Sequence, residues 1–154
     1  MLTLYKPERE DLRFRQALLA DEETMAYNRA WGGTIPFPEE DWEDWHRCWV
    51  RDCAGGRFYR YLQDENGAFI GEIAYHFDGE SGNCLANVIV HAQHRGKGYG
   101  GEALELLCAT AKKNGIAELW DDIADNNPSV RLFLNHGFTE EYRADGKIYL
   151  KRTL

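Results

Sequence analysis

The chain has 154 residues, the length of one domain, and its net charge of −8 argues against the basic face that a nucleic-acid binder needs. Hydrophobic residues at 44% and charged residues at 29% describe a globular chain that can bury a core. No apolar run approaches the ~18 residues of a membrane span.

The opening MLTLYKPERE lacks the basic and apolar regions of a secretory leader, so a cytoplasmic protein with no membrane partner is expected. Cys48, Cys53, Cys84 and Cys108 form no CxxC pair and no zinc-like cluster; reduced thiols and no metal are expected.

Residues 2–7 (LTLYKP) predict a short first strand. Residues 8–30 predict a helix, with Leu12, Leu18, Leu19, Met25 and Tyr27 apolar among charges, and WGGTIPFP (31–38) breaks it into a loop. A second helix is expected over 39–53, its acids crowding the first turn, where the dipole favours them, and Gly55 and Gly56 closing it. Trp42, Trp45 and Trp49 recur at i, i+3 and i+7, the spacing of a core stripe.

RFYRYLQD (57–64) and AFIGEIAYHFD (68–78) read as strands around an ENG turn, and GESGN (79–83) turns into the strand CLANVIV (84–90). After a glycine loop, a helix over 98–114 carries Leu104, Leu107, Cys108 and Ala111 as its core stripe. AELWDDIA (117–124) is a further strand. A short helix follows within 125–138, with Asn127 as N-cap, Pro128 at its first position and Gly137 as left-handed stop. TEEYR and KIYLKRTL close the chain as two strands around the Asp145–Gly146 turn. The order β-α-α-β-β-β-α-β-α-β-β is that of a mixed α/β sheet protein, a single domain over 1–154.

HRGKGYGGEAL (94–104) places a glycine-rich, basic loop between a strand and a helix. Such an arrangement binds anions, because the free N–H groups of the first helical turn point at the ligand and the dipole favours negative charge. Gly96, Gly98 and Gly101 fit the dinucleotide fingerprint GxGxxG, with Asp121 about 20 residues beyond in the place of its acid. That fingerprint normally opens a fold's first βαβ unit, whereas the strands before this loop are joined by turns. A dinucleotide-binding oxidoreductase is therefore the remote alternative.

The other reading is R-x-x-G-x-G, formed by Arg95, Gly98 and Gly100. VIVHAQHRGKGYGGEALELL and, after it, DNNPSVRLFLNHGF resemble the pyrophosphate-binding and following motifs of the GNAT family of acyl-CoA-dependent N-acetyltransferases. Residues 82–138 carry the specificity, while residues 1–60 agree in layout only.

The resemblance implies a mixed, mostly antiparallel sheet with splayed fourth and fifth strands, and acetyl-CoA as acyl donor. It implies that backbone groups around Val88 and Val90 pair with the pantetheine arm. Arg95, Gly96, Lys97, Gly98, Tyr99, Gly100 and Gly101 would wrap the pyrophosphate, and Asn127, Ser129 and Phe133 would flank the far side of the arm. Homodimers are common in that family, so a homodimer is one expected assembly.

Acetyl transfer to an amine needs a neutral nucleophile, donors for the developing oxyanion, and a departing thiolate. A lysine-like amine with a pKa near 10.4 is only about 1 part in 2,500 free base at pH 7, so a base assists. Two departures from the family pattern stand out. Many relatives have a tyrosine acid four residues before the GF glycine, where this chain has Phe133; Tyr142 and Tyr149 are the substitutes considered. Some carry a glutamate base near the position of Cys84.

If GESGN closes a hairpin whose paired indices sum to about 160, His76 lies opposite Cys84 and Glu72 opposite Val88. Period-two alternation then sets Glu72, Ala74 and His76 on one face, and a one-residue slip reverses the relation to the next strand. Glu72, His76 and, on the neighbouring strand, Asp122 are the candidate catalytic residues. Trp31 and Glu72 are the candidate acceptor contacts, with Trp31 preferred to the tryptophan stripe because it lies on a loop. The expected activity is N-acetylation of a primary amine in a ternary complex. The acceptor is a small molecule or a peptide amine, with a small cationic amine slightly favoured by the negative charge and the aromatic loop. The alternative from another class is a non-catalytic acyl-CoA-binding sensor.

Overall fold

The structure, a computed structural model, describes residues 1–53 and 56–154, with Ala30 described by its backbone alone. Seven strands form one sheet in the order β1-β2-β3-β4-β5-β7-β6. They are β1 (Thr3–Tyr5), β2 (Phe58–Gln63), β3 (Phe69–Asp78), β4 (Asn83–Val90), β5 (Glu118–Ala124), β6 (Thr139–Ala144) and β7 (Lys147–Thr153). Every neighbouring pair is antiparallel except β4 and β5. The helices are α1 (Leu12–Ala20), α2 (Trp42–His46), α3 (Tyr99–Lys113) and α4 (Ser129–Asn135), so the element order and the mixed α/β class are as the sequence predicts.

The sheet separates two sets of apolar contacts. On one face, Leu104, Leu107, Cys108 and Ala111 of α3 pack with Ile73, Val90, Leu119, Ile123 and Leu150, which is the predicted stripe of that helix. On the other, Leu12, Leu18 and Leu19 of α1 pack with Met25, Phe37, Trp42 and Ile89. Period two sends alternate strand residues to these opposite faces.

Three local expectations are corrected. The helix expected over 8–30 is three pieces: a 3-10 turn at Arg9–Asp11, then α1, then a 3-10 segment at Thr24–Trp31. Asp21 breaks it. Its backbone is extended (φ −80°, ψ 112°), and its carboxylate accepts the Thr24 N–H at 2.9 Å and also the Thr24 hydroxyl, restarting the chain as a separate turn. The helix expected over 39–53 is likewise a 3-10 turn at Glu39–Asp41, then α2, then a π turn at Arg47–Arg51. Of the glycines expected to close it, Gly55 lies outside the described residues, and Gly56 has φ +70°. In α4, Asn127 acts one position early: its Oδ1 accepts the Ser129 N–H at 2.9 Å, and Pro128 precedes the helix as its N-cap.

The β3–β4 register is one residue away from the sequence estimate: Glu72 pairs with Ile89, His76 with Leu85, and Phe77 with Cys84. The turn between them holds four residues, 79–82, because Asp78 draws it closed. The Asp78 carbonyl accepts the Gly82 N–H at 2.8 Å and its carboxylate accepts the Ser81 N–H at 3.0 Å. Glu72, Ala74 and His76 still share a face, now with Ile89, Asn87 and Leu85, while the Val88 and Val90 side chains lie on the α3 face.

β4 and β5 are registered only at Leu85 and Trp120 and part beyond that point. The His91 N–H bonds the Ile70 carbonyl at 2.8 Å, which sets the phase of the β3–β4 ladder. In an antiparallel ladder that phase gives Ile89, Asn87 and Leu85 their bonds to β3 and turns the backbone groups of Val88 and Val90 away, toward the opening beside β5.

Candidate active site

Where β4 and β5 part, a cavity of about 270 Å³ opens. β3 lines it with Glu72, Ala74 and His76, β4 with Leu85 and Asn87, and β5 with Asp121 and Asp122; Arg15, Trp45, Trp49 and Tyr59 form the remaining wall. The three catalytic candidates, Glu72, His76 and Asp122, are thus brought together.

Glu72 is 1% exposed. Its carboxylate accepts the Tyr59 hydroxyl, the Arg15 Nη1 at 3.4 Å and the Asn87 Nδ2 at 3.4 Å. Burial first, and then the Glu72 charge, holds the Tyr59 phenol well above its usual range, so it remains a donor. The Arg15 guanidinium lies 4.4 Å from the Trp45 ring centroid, 4.9 Å from Phe37 and 5.6 Å from Tyr59. It is an aromatic-walled counterion to a buried carboxylate, an arrangement in which removing either partner strands the other's charge.

His76 is half-buried and packs edge-on to Trp49, with centroids 5.6 Å apart. Desolvation lowers its pKa below the usual histidine value, with Arg57 acting in the same sense and Asp78 opposing. Asp122 accepts the Lys147 Nζ at 3.1 Å. Beside it, Asp121 has its carboxyl held well above the carboxylate range, by desolvation first and then by the Asp122 charge.

The glycine loop leads into α3, whose N-cap Gly98 is left-handed (φ +82°) and whose first turn receives no side-chain cap. Gly96 is also left-handed (φ +79°), and the space above both glycines is open. Gly100 and Gly101 are closely packed instead. A Cβ on Gly101 would stand 2.7 Å from the His136 Nε2, and one on Gly100 would stand 3.2 Å from Leu132, so these two let α3 close on α4. Lys97 is exposed, whereas Arg95 donates its Nη2 to the Thr24 carbonyl at 2.9 Å, tying the loop to the 3-10 segment.

Phe133 is buried against Phe138 at 4.9 Å between centroids, a packing residue of the α3 face. Tyr142 and Tyr149 stack on each other at 4.4 Å on β6 and β7, and neither lines the cavity. Trp31 closes the 3-10 segment rather than lying in the loop after it. It is 52% exposed, with the Lys147 Nζ 5.1 Å from its ring centroid, and stands outside the cavity lining. Trp45 and Trp49 do line it; of the tryptophan stripe, only Trp42 is core. Arg15, Tyr59 and Asn87 were not among the sequence candidates, and Asp121 was one only as the acid of the dinucleotide fingerprint. Only Asp121 had a local signal, a lone acid between Leu119 and Ile123 on one side of a strand.

The model of the acetyltransferase (GNAT) family matches residues 16–138. No curated protein matches the chain. A solved structure assigned as a candidate phosphinothricin N-acetyltransferase is 28% identical, with 100% of this chain and 99% of that one covered and a TM-score of 0.75. Spermidine N-acetyltransferase from Vibrio cholerae, in complex with CoA and spermine, is 21% identical over 99% of this chain and 95% of its own, with a TM-score of 0.78. A phosphinothricin acetyltransferase of the GNAT superfamily from Sinorhizobium meliloti, in complex with AcCoA, is 20% identical over 99% and 88%, with a TM-score of 0.79. At these identities the last two speak for the fold.

Proposed function

Because the chain belongs to the GNAT acetyltransferase family, and is on that ground an acyltransferase, we propose that it transfers an acetyl group from acetyl-CoA to a primary amine, by direct attack with both substrates bound. The observation that carries this reading is the cavity at the parting of β4 and β5. The glycine loop lies at the end of β4, and proton-accepting side chains from the α1 face line the cavity. The same geometry removes the dinucleotide alternative, since the loop follows the fourth strand of a mostly antiparallel sheet.

The residues fit the donor. Two left-handed glycines with open space above them precede an uncapped helix N-terminus, a combination that accepts phosphate oxygens on backbone N–H groups. Lys97 adds a cation, and the unpaired backbone edge of Val88 and Val90 is placed to bond an extended amide-bearing arm and to donate an N–H to a developing oxyanion. Acetyl-CoA, when bound, supplies an acetyl group activated as a thioester.

On the acceptor side, His76 takes the amine proton, because desolvation leaves its imidazole neutral at pH 7. Glu72, held by three donors, fixes Arg15, Tyr59 and Asn87 as the cavity wall. The faces of Trp45 and Trp49, with the carboxylates of Glu72 and Asp122, favour a small cationic amine. That spermidine N-acetyltransferase shares the fold is in keeping with such an acceptor.

The test is release of free thiol from acetyl-CoA against a panel of amines. Turnover on a small polyamine or amino-sugar supports the reading, and CoA binding with no turnover on any amine favours the non-catalytic sensor. His76→Gln is expected to lower kcat by about 10²-fold with CoA affinity retained. An unchanged kcat removes His76 from the mechanism.

A further inference from the structure

Asp121 breaks the pattern of its strand. Leu119 and Ile123, two residues to either side, are buried in the apolar core beneath α3, and so is Leu150, its partner across the ladder. Period two therefore turns the Asp121 side chain toward that same face, where α3 packs and Phe133 is buried. A carboxyl in an apolar stripe is a local inconsistency of the kind that marks a working site.

Its position along the strand says which site. Asp121 follows Trp120, the one residue of β5 registered with β4, so it stands where the two strands begin to part. It lines the same cavity as Glu72 and His76, which reach it from the opposite face of the sheet. The cation in its lining, Arg15, is committed to Glu72, and Lys147, outside the lining, to Asp122.

We propose that Asp121 is the acid that protonates the departing thiol of coenzyme A, the task for which Phe133 has no proton to give. The inference rests on the acetyl-transfer reading above. In the step, the amine nitrogen forms a C–N bond to the acetyl carbon and the C–S bond breaks. The sulfur takes the electron pair of that bond and the proton of Asp121. The surplus proton of the new amide nitrogen passes to His76. His76 then releases that proton to solvent and Asp121 recovers one from it, so that one amine and one thioester yield one amide and one thiol.

The electrostatics agree with this direction of transfer. Asp121 is half-buried; desolvation first, and then the Asp122 charge, raises its carboxyl pKa well above the usual carboxylate range, against one backbone N–H from Asp122 that lowers it. The other charged groups there are paired, Glu72 with Arg15 and Asp122 with Lys147, and desolvation lowers the pKa of His76. On the 3-10 segment, Tyr27 is 40% exposed, yet its phenol is pushed up to about 12 by desolvation first and then by Glu72 and Asp121, so it is the rival hydroxyl.

The experiment compares wild type, Asp121→Asn and Tyr27→Phe. Asn keeps the shape and carries no transferable acid. Expected for Asp121→Asn are a CoA Kd within about twofold of wild type, a kcat lowered by about 10²-fold, and loss of the alkaline fall in the kcat profile. In the ligand-free protein, carboxyl ¹³C NMR is expected to show one aspartate still protonated at pH 7, absent from the Asn variant. Asp121→Ser serves if the Asn variant does not fold. A wild-type kcat and profile in Asp121→Asn overturns the proposal, as does loss of the alkaline limb in Tyr27→Phe instead, or a carboxyl already ionised at pH 7. Absence of turnover in the wild type on every amine is a separate result, and it sinks the acetyl-transfer reading itself.

Discussion

Glu72, Asp121 and Asp122 line one cavity in three different electrostatic states. Glu72 is surrounded by hydroxyl, guanidinium and amide donors, Asp122 has the Lys147 ammonium, and Asp121 has desolvation and a like charge beside it. The last state has a consequence for stability. A carboxyl whose folded pKa is raised keeps a proton that the unfolded chain, with a pKa of about 3.9, gives up. Its contribution is therefore most favourable at low pH and declines as pH rises from about 4 through the folded pKa. Each unit of the upward displacement is worth about 1.4 kcal/mol, or roughly 3–6 °C in Tm for a chain of this size. Asp121→Asn should thus raise Tm near pH 7 and change it little near pH 4; a Tm difference that stays constant across that range contradicts the assignment. At this scale the sequence was partly legible. Alternation alone joined Glu72 to His76. The partners of Glu72 were not readable, because Arg15 and Asn87 lie 57 and 15 residues away and meet it only through the packing of α1 and the β3–β4 register.

The strand–loop–helix unit shows how one residue type serves two elements. Gly96 and Gly98 are left-handed with open space above them, while Gly100 and Gly101 bring α3 against α4. The sequence motif could not separate these uses, because both need a missing Cβ and the contact with His136 exists only once α4 is in place. The difference predicts distinct failures. Gly101→Ala drives a methyl to 2.7 Å from an imidazole that Glu105 anchors at 3.0 Å. Overpacking of about 1–3 kcal/mol outweighs a helix-propensity gain of about 1 kcal/mol, so a net loss of about 1 kcal/mol is expected in denaturant unfolding. Gly98→Ala meets no atom but forces a Cβ into the left-handed region, at a cost of about 1–2 kcal/mol at the mouth of the proposed phosphate site. It should therefore weaken CoA binding, measured by calorimetry, by more than Gly101→Ala does. Equal CoA affinities in the two variants would remove the distinction.

Across the whole molecule, the order of strands and helices was readable from hydrophobic period and turn residues, since each of those signals is local. The 3-10 segment Thr24–Trp31 was not, because tertiary contacts at its two ends define it. At one end Thr24, with no exposed surface, accepts the Ala92 N–H on its hydroxyl at 2.9 Å and the Arg95 Nη2 on its carbonyl at 2.9 Å. At the other, Trp31 lies 5.1 Å from the Lys147 Nζ that pairs with Asp122. The segment therefore ties the entrance of the glycine loop to Lys147, the ion-pair partner of Asp122 in the cavity wall, joining residues 68 and 71 positions apart at Thr24 alone. Thr24→Val keeps the side chain's shape and deletes its hydroxyl, leaving the Ala92 N–H without its acceptor. The expected loss is about 1–3 kcal/mol of stability, the cost of a polar group left unpaired in a buried place. If the tie also positions both substrates, the variant's KM for acetyl-CoA and for the amine should rise together, with kcat changed less, because the chemical groups on β3 and β5 are untouched. A drop in unfolding free energy with both KM values at wild type would reduce the tie to a structural one, and a rise in only one KM would show that the two ends of the segment act separately.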